Sequence, residues 1–149
     1  MSLTKKLAIL AVILGILFVL TNLKSDEELK LVNSIEGEKA VELIKRIHEG
    51  EFEIVSGRIL EYEGKGKVRV WIAEVESEAL AEKYVEEMAS KVSKYFSKPV
   101  YLENLKAYRV YGMGRVHYFF SANSSVVWVE FENRDEKYHF EVLKKLFFS

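Results

Sequence analysis

His48, His117 and His139 are the side chains best suited to proton chemistry near neutral pH. None has a second histidine three or four residues away, so no helix-borne metal pair exists, and neither a metal nor another cofactor is assigned. The chain contains no cysteine, which removes a thiol nucleophile, a disulfide framework and any thiolate metal centre. His48 falls near an expected helix C-terminus, where the dipole favours a partly charged imidazole. His139 falls on the inner edge of the last expected helix, beside Leu143. His117 alternates with Tyr118 in an expected strand, and His117, His139 and Glu130 could converge as an acid/base group.

Other catalytic signatures are missing. Gly64-Lys65-Gly66 lacks the spacing and hydroxyl residue of a phosphate loop. Gly112-Met113-Gly114 lacks the third glycine and following helix of a dinucleotide fingerprint. No G-x-S-x-G elbow occurs. The aspartates, Asp26 and Asp135, each stand beside an expected helix start, where capping accounts for them. The glutamates fall on solvent faces, and a paired-carboxylate glycosidase would need a cleft that a small one-core domain rarely supplies.

The strongest candidate surface comes from strand alternation. If Val68, Val70, Ile72, Val116, Tyr118, Phe120, Val127, Val129 and Phe131 meet the core helices, the opposite face offers Arg69, Trp71, His117, Phe119, Trp128 and Glu130. Aromatic rings mixed with charges suit a ligand, a protein partner or a second copy of the chain. The competing structural reading is that a helix or a dimer covers that face, or that the two faces are exchanged. Asn123-Ser124-Ser125 is an N-x-S acceptor in an expected exposed turn, open to glycosylation if the domain lies outside a cell.

These residues need a scaffold. Ser34 can cap a helix carrying Ala40, Val41, Leu43, Ile44 and Ile47, with Gly50 placed to end it. Phe52 and Ile54 begin an alternating strand, with a bulge expected at Gly57 before Ile59, Leu60 and Tyr62. After the EGKGK turn, Val68 to Val75 reads as the next strand. Ser77 opens the clearest helix, with an apolar stripe from Leu80 to Phe96, and Pro99 stops it. Lys106–Tyr111, Arg115–Ser121 and Ser125–Glu132 read as three strands. Asp135 begins a helix that turns Tyr138, Val142, Leu143, Leu146 and Phe147 inward. The order α-β-β-α-β-β-β-α implies an α+β domain, a mostly antiparallel five-stranded sheet packed with about three helices, ferredoxin-like in style. No residue ties the chain to a particular family.

The setting rests on the apolar run LAILAVILGILFVL, Leu7 to Leu20, behind Lys5 and Lys6. Extended to Leu23 it spans roughly 26 Å as a helix, slightly short of a hydrocarbon core of about 30 Å. Small residues for signal cleavage are missing: Thr21 pairs with Leu23, and Leu23 with Ser25. Residues 1–24 are therefore expected as a transmembrane signal anchor touching the bilayer through Leu7 to Leu23, 25–33 as a stalk, and 34–149 as one extracytoplasmic domain. The positive-inside rule puts the N-terminus inside and the domain outside a cell membrane, a single-pass arrangement. Ala8, Ala11 and Gly15 supply small residues for packing against another helix.

Of 149 residues 30% are charged, with no Gln, a bias towards Lys and Glu that resembles thermophile composition. Setting Lys5, Lys6 and Lys24 aside from the 22 basic residues leaves 19 against 23 acidic, a balance that argues against general nucleic-acid binding. The first functional reading is a non-enzymatic binding or assembly module held at a membrane and using the aromatic and charged sheet face. The alternatives are a small membrane-tethered hydrolytic enzyme using His117 and Glu130, and an accessory subunit of a membrane complex.

Overall fold

The computed structural model describes residues 2–6, 8, 10, 12, 28–48 and 51–148. Its elements are β1 (Lys30–Glu36), α1 (Glu38–Ile47), β2 (Ser56–Gly64), β3 (Gly66–Glu74), α2 (Glu78–Lys91), β4 (Val100–Leu102), β5 (Ala107–Gly112), β6 (Arg115–Ala122), β7 (Ser125–Phe131) and α3 (Glu136–Leu143). A 3-10 turn, Val92–Lys94, follows α2, and a π turn, Lys144–Phe148, follows α3. The strands form one antiparallel sheet in the order β1-β2-β3-β7-β6-β5-β4.

Seven strands stand where alternation in the sequence suggested five, and the ferredoxin-like order is corrected accordingly. The two additional strands are the sheet's edges. β1 lies across the expected stalk, and six of its seven residues are exposed, so it carries no buried alternation to read. β4 has only three residues. Ser34, expected as a helix cap, is paired with Leu60 inside β1, and α1 starts after Gly37, whose φ of 72° turns the chain. Phe52 and Ile54 lie outside β2 in irregular backbone. The expected bulge at Gly57 is absent, because Gly57 pairs regularly with Ala73; the irregularity falls in β1, between Leu31 and Asn33. Gly57 serves close approach instead: a Cβ there would lie 3.0 Å from the Ile44 side chain of α1.

Helices cover both faces of the sheet, each over its own apolar layer. Beneath α1 and α2 lie Ile59, Ala73, Phe119 and Val126, with Ala40 and Ile44 from α1 and Ala81 and Val85 from α2. Beneath α3 lie Val68, Val70, Tyr118, Phe120, Val127, Val129 and Phe131, with Val142 and Leu143 from the helix itself. The face that carries Arg69, Trp71, His117, Phe119, Trp128 and Glu130 is the one over which α1 and α2 pack. Ser77 caps α2 by accepting from the Leu80 N–H at 3.1 Å. Ser77→Ala should lower unfolding free energy by about 1 kcal/mol, read from the urea midpoint; no change would mean the cap contributes nothing.

A polar lock holds α3. His139 Nε2 faces two oxygens of Asn133, the backbone O and Oδ1, each at 2.9 Å, so this nitrogen carries the proton. Nδ1 then accepts from the Tyr118 hydroxyl at 2.9 Å. Burial holds His139 below its ordinary value and pushes the Tyr118 phenol up to about 12. Outside this pair, the Asn133 side-chain amide donates to the Lys65 carbonyl, and Lys65 Nζ pairs with the capping residue Asp135 at 2.6 Å.

The expected single-pass membrane placement does not stand. Among the described residues no helix is long and apolar enough to cross a membrane. Helical backbone is described at 3–6, 8, 10 and 12; the rest of the Leu7 to Leu23 run lies outside the described residues. Physically, fourteen apolar residues rise only about 21 Å. The anchor, the extracytoplasmic placement and the bilayer contact fall with it.

Candidate functional site

α1 packs over β1, β2 and the near part of β3, while α2 packs over β6 and β7. The seam between β3 and β7 therefore lies between the two helices. Trp71 and Trp128, the only tryptophans in the chain, sit directly opposite one another across that seam. Both are half-buried, and together with Ala73 and Val126 they floor a groove of about 930 Å³. α1 supplies Ile44 and Ile47 to the walls, and α2 supplies Leu80, Tyr84 and Met88.

The two ends are built differently. At one, Phe52 stacks on His48 (4.3 Å between ring centroids) and meets Tyr84 edge-on at 4.6 Å. The Glu53 N–H donates to the Tyr84 hydroxyl at 3.2 Å, tying the loop before β2 to α2. At the other end Phe96, His117 and Trp128 form a three-ring cluster, with centroids 4.9 to 5.4 Å apart. Gly112 makes room for it: a Cβ at that position would lie 2.4 Å from the Phe96 ring.

All six residues of the expected surface lie in two adjacent cross-strand rows of this one face. In the first, Glu61, Arg69, Glu130 and His117 follow one another across β2, β3, β7 and β6. Arg69 pairs with Glu61 at 2.8 Å, and Glu130 pairs with Arg115 at 3.0 Å. In the second, Trp71, Trp128, Phe119, Tyr108 and Tyr101 run across five strands. Phe119 is fully buried, stacked at 5.1 Å on Trp128 and 5.2 Å on Tyr108, so it supports the floor from within the core. The Arg69 guanidinium lies 5.6 Å from the Trp71 ring. Asn123 is exposed at the β6–β7 turn with φ 51°, away from the groove.

His117 is buried and both its nitrogens are engaged. An indole N–H can only donate, so the 3.1 Å contact from Trp128 Nε1 makes His117 Nδ1 the acceptor. The proton then sits on Nε2 and is donated to the Gly112 carbonyl at 3.0 Å. Burial lowers the His117 pKa further than Glu130 and the carbonyl raise it, which favours the neutral ring. In this arrangement the imidazole orients an aromatic side chain, and neither nitrogen is open to a substrate proton. His139 lies on the opposite face with α3, so the three-way convergence of His117, His139 and Glu130 does not form.

The groove walls escaped the sequence reading. Tyr84 and Met88 were legible only as parts of an apolar stripe, and no local pattern distinguishes a stripe that seals a core from one that leaves a gap. Among the described residues no group of three His, Asp or Glu could hold a metal ion. No protein-family model, curated protein or solved structure matches the chain.

Proposed function

We propose that this chain is a binding module whose groove at the β3–β7 seam takes a small apolar, ring-bearing molecule laid against Trp71 and Trp128. One observation carries the reading: a groove of about 930 Å³ with both tryptophans of the chain half-exposed on its floor. That volume lies in the range of small-molecule sites, roughly 300–1,000 Å³. Six aromatic side chains line it, Phe52, Trp71, Tyr84, Tyr95, Phe96 and Trp128, with Met88 and Met113 as adaptable partners. The sheet face is recessed between helices, which suits an inserted molecule better than a flat protein surface. Catalysis is not required by any group here, since His117 is committed to Trp128 and Gly112, and Glu130 to Arg115.

The test uses N-phenyl-1-naphthylamine, a neutral apolar probe that accepts energy from tryptophan. Saturable quenching of the protein's emission with matching gain in probe emission is expected. Trp128→Ala should weaken the probe by at least about tenfold, through loss of stacking area. Unchanged affinity in that variant, or no saturable signal, would remove the groove reading.

A further inference from the structure

We infer that His117 is the positioning residue of the groove, and that its uptake of a proton turns Trp128 out of its binding orientation, so that occupancy of the groove falls on acidification. The inference rests on the binding role proposed for the groove. Its geometry is independent of that role.

Trp128 contributes a ring to the floor, and its indole N–H donates to His117 Nδ1. An imidazolium has no lone pair at Nδ1, so protonation turns this hydrogen bond into two opposed N–H groups about 3 Å apart. The ring cannot simply turn over, because Nε2 is held by the Gly112 carbonyl and Phe96 packs edge-on against it. Trp128 is the freer partner: it is half-buried beside an open groove, whereas His117 is buried.

The charged groups facing His117 are few. Its own strand presents Arg115, which disfavours a second positive charge, and β7 presents Glu130 directly opposite in register, which favours it. β5 presents Val110 and the Gly112 carbonyl, and the segment after α2 presents the Phe96 ring. Glu130 is already bonded to Arg115. An imidazolium draws on the same carboxylate, and the released indole leaves the floor without its fixed edge.

Two readouts test this in full-length protein. In a Trp71→Phe background, excited at the red edge where tyrosine does not absorb, the emission comes from Trp128 alone. It should shift to longer wavelength in one step as pH falls below the ordinary histidine range, because the released indole meets more water, and the far-ultraviolet circular dichroism should stay constant through that step. Affinity for N-phenyl-1-naphthylamine should fall about tenfold over the same interval, the scale of one lost hydrogen bond with its unpaired donor. His117→Asn keeps an acceptor for the indole but cannot titrate. It should retain the neutral-pH affinity and lose both pH steps, while His117→Leu should bind weakly at every pH. The same pH steps in His117→Asn, or no emission step in the His117 protein, would overturn the inference. A probe that binds at no pH would defeat the groove reading alone, and the emission step would still decide whether His117 controls Trp128.

Discussion

Replacing Phe119 with alanine should cost about 3–5 kcal/mol of unfolding free energy, the range for a large aromatic side chain removed from a close-packed interior. The residue is fully buried, and its ring is stacked nearly parallel between Trp128 (6° between planes) and Tyr108 (17°). Alanine leaves a cavity in the middle of a five-strand aromatic row, between side chains whose backbone positions are set by strand register. Tyr101, at the row's outer end and 47% exposed, is the control: Tyr101→Ala should cost far less. Urea unfolding with unchanged denaturant dependence is the measurement. A Phe119→Ala loss below about 1 kcal/mol would mean that the aromatic row is not part of the folded core.

Acidification should destabilise the fold well before its carboxylates titrate. His117 and His139 are both buried as neutral rings with pKa values lowered by that burial. In the unfolded chain each regains a value near 6.5, so below that pH the unfolded state binds more protons than the folded state. Their contribution is therefore complete above about pH 6.5 and is lost as pH falls towards the folded-state values. The slope approaches about 1.4 kcal/mol per pH unit for each histidine, or about 2.7 for the two together. His117→Asn and His139→Gln should each remove roughly half of that slope in urea titrations between pH 7.5 and 5. A flat profile in the unsubstituted protein would contradict the buried neutral assignment. Asp135, held below its ordinary value by Lys65, contributes in the same direction only at lower pH. At the alkaline end the Tyr118 phenol, raised to about 12, ionises first in the unfolded chain, so stability falls as pH rises past about 10.

The pH sensitivity and the groove come from one structural choice: polar rings are used as fixed parts between aromatic layers. Tyr118–His139–Asn133 joins α3 to the sheet on one face, and Trp128–His117–Gly112 braces the groove on the other. The two histidines carry the same chemistry in opposite layers. Nothing in their sequence spacing requires the two to meet, and strand alternation separates them, because His117 and its neighbour Tyr118 point to opposite faces.

What local pattern determines by itself is clear from particular elements. β3, β6 and β7 are central strands rich in β-branched and aromatic residues, so the strands are legible locally, and the division of their side chains between two faces follows from a period of two. α2 follows from its apolar stripe and from the Ser77 cap. The grouping of Arg69, Trp71, His117, Phe119, Trp128 and Glu130 on one face is a consequence of the same alternation. β1 and β4 are edges, one solvent-exposed along most of its length and one very short, and neither leaves a periodic signature.

Tertiary structure decided everything that depends on pairing distant segments. The register of β3 against β7 sets Trp71 opposite Trp128, and the register of β6 against β7 brings His117 within reach of an indole eleven residues away. The crossover from β3 through α2 to the far edge of the sheet places α1 and α2 over different strands and leaves the seam between them open. Alternation specifies which side a residue faces, but it carries no information on which helix will stand above it. Whether an apolar face is sealed, recessed or exposed is set by long-range packing, and here that packing stands two helices over one face with a groove between them.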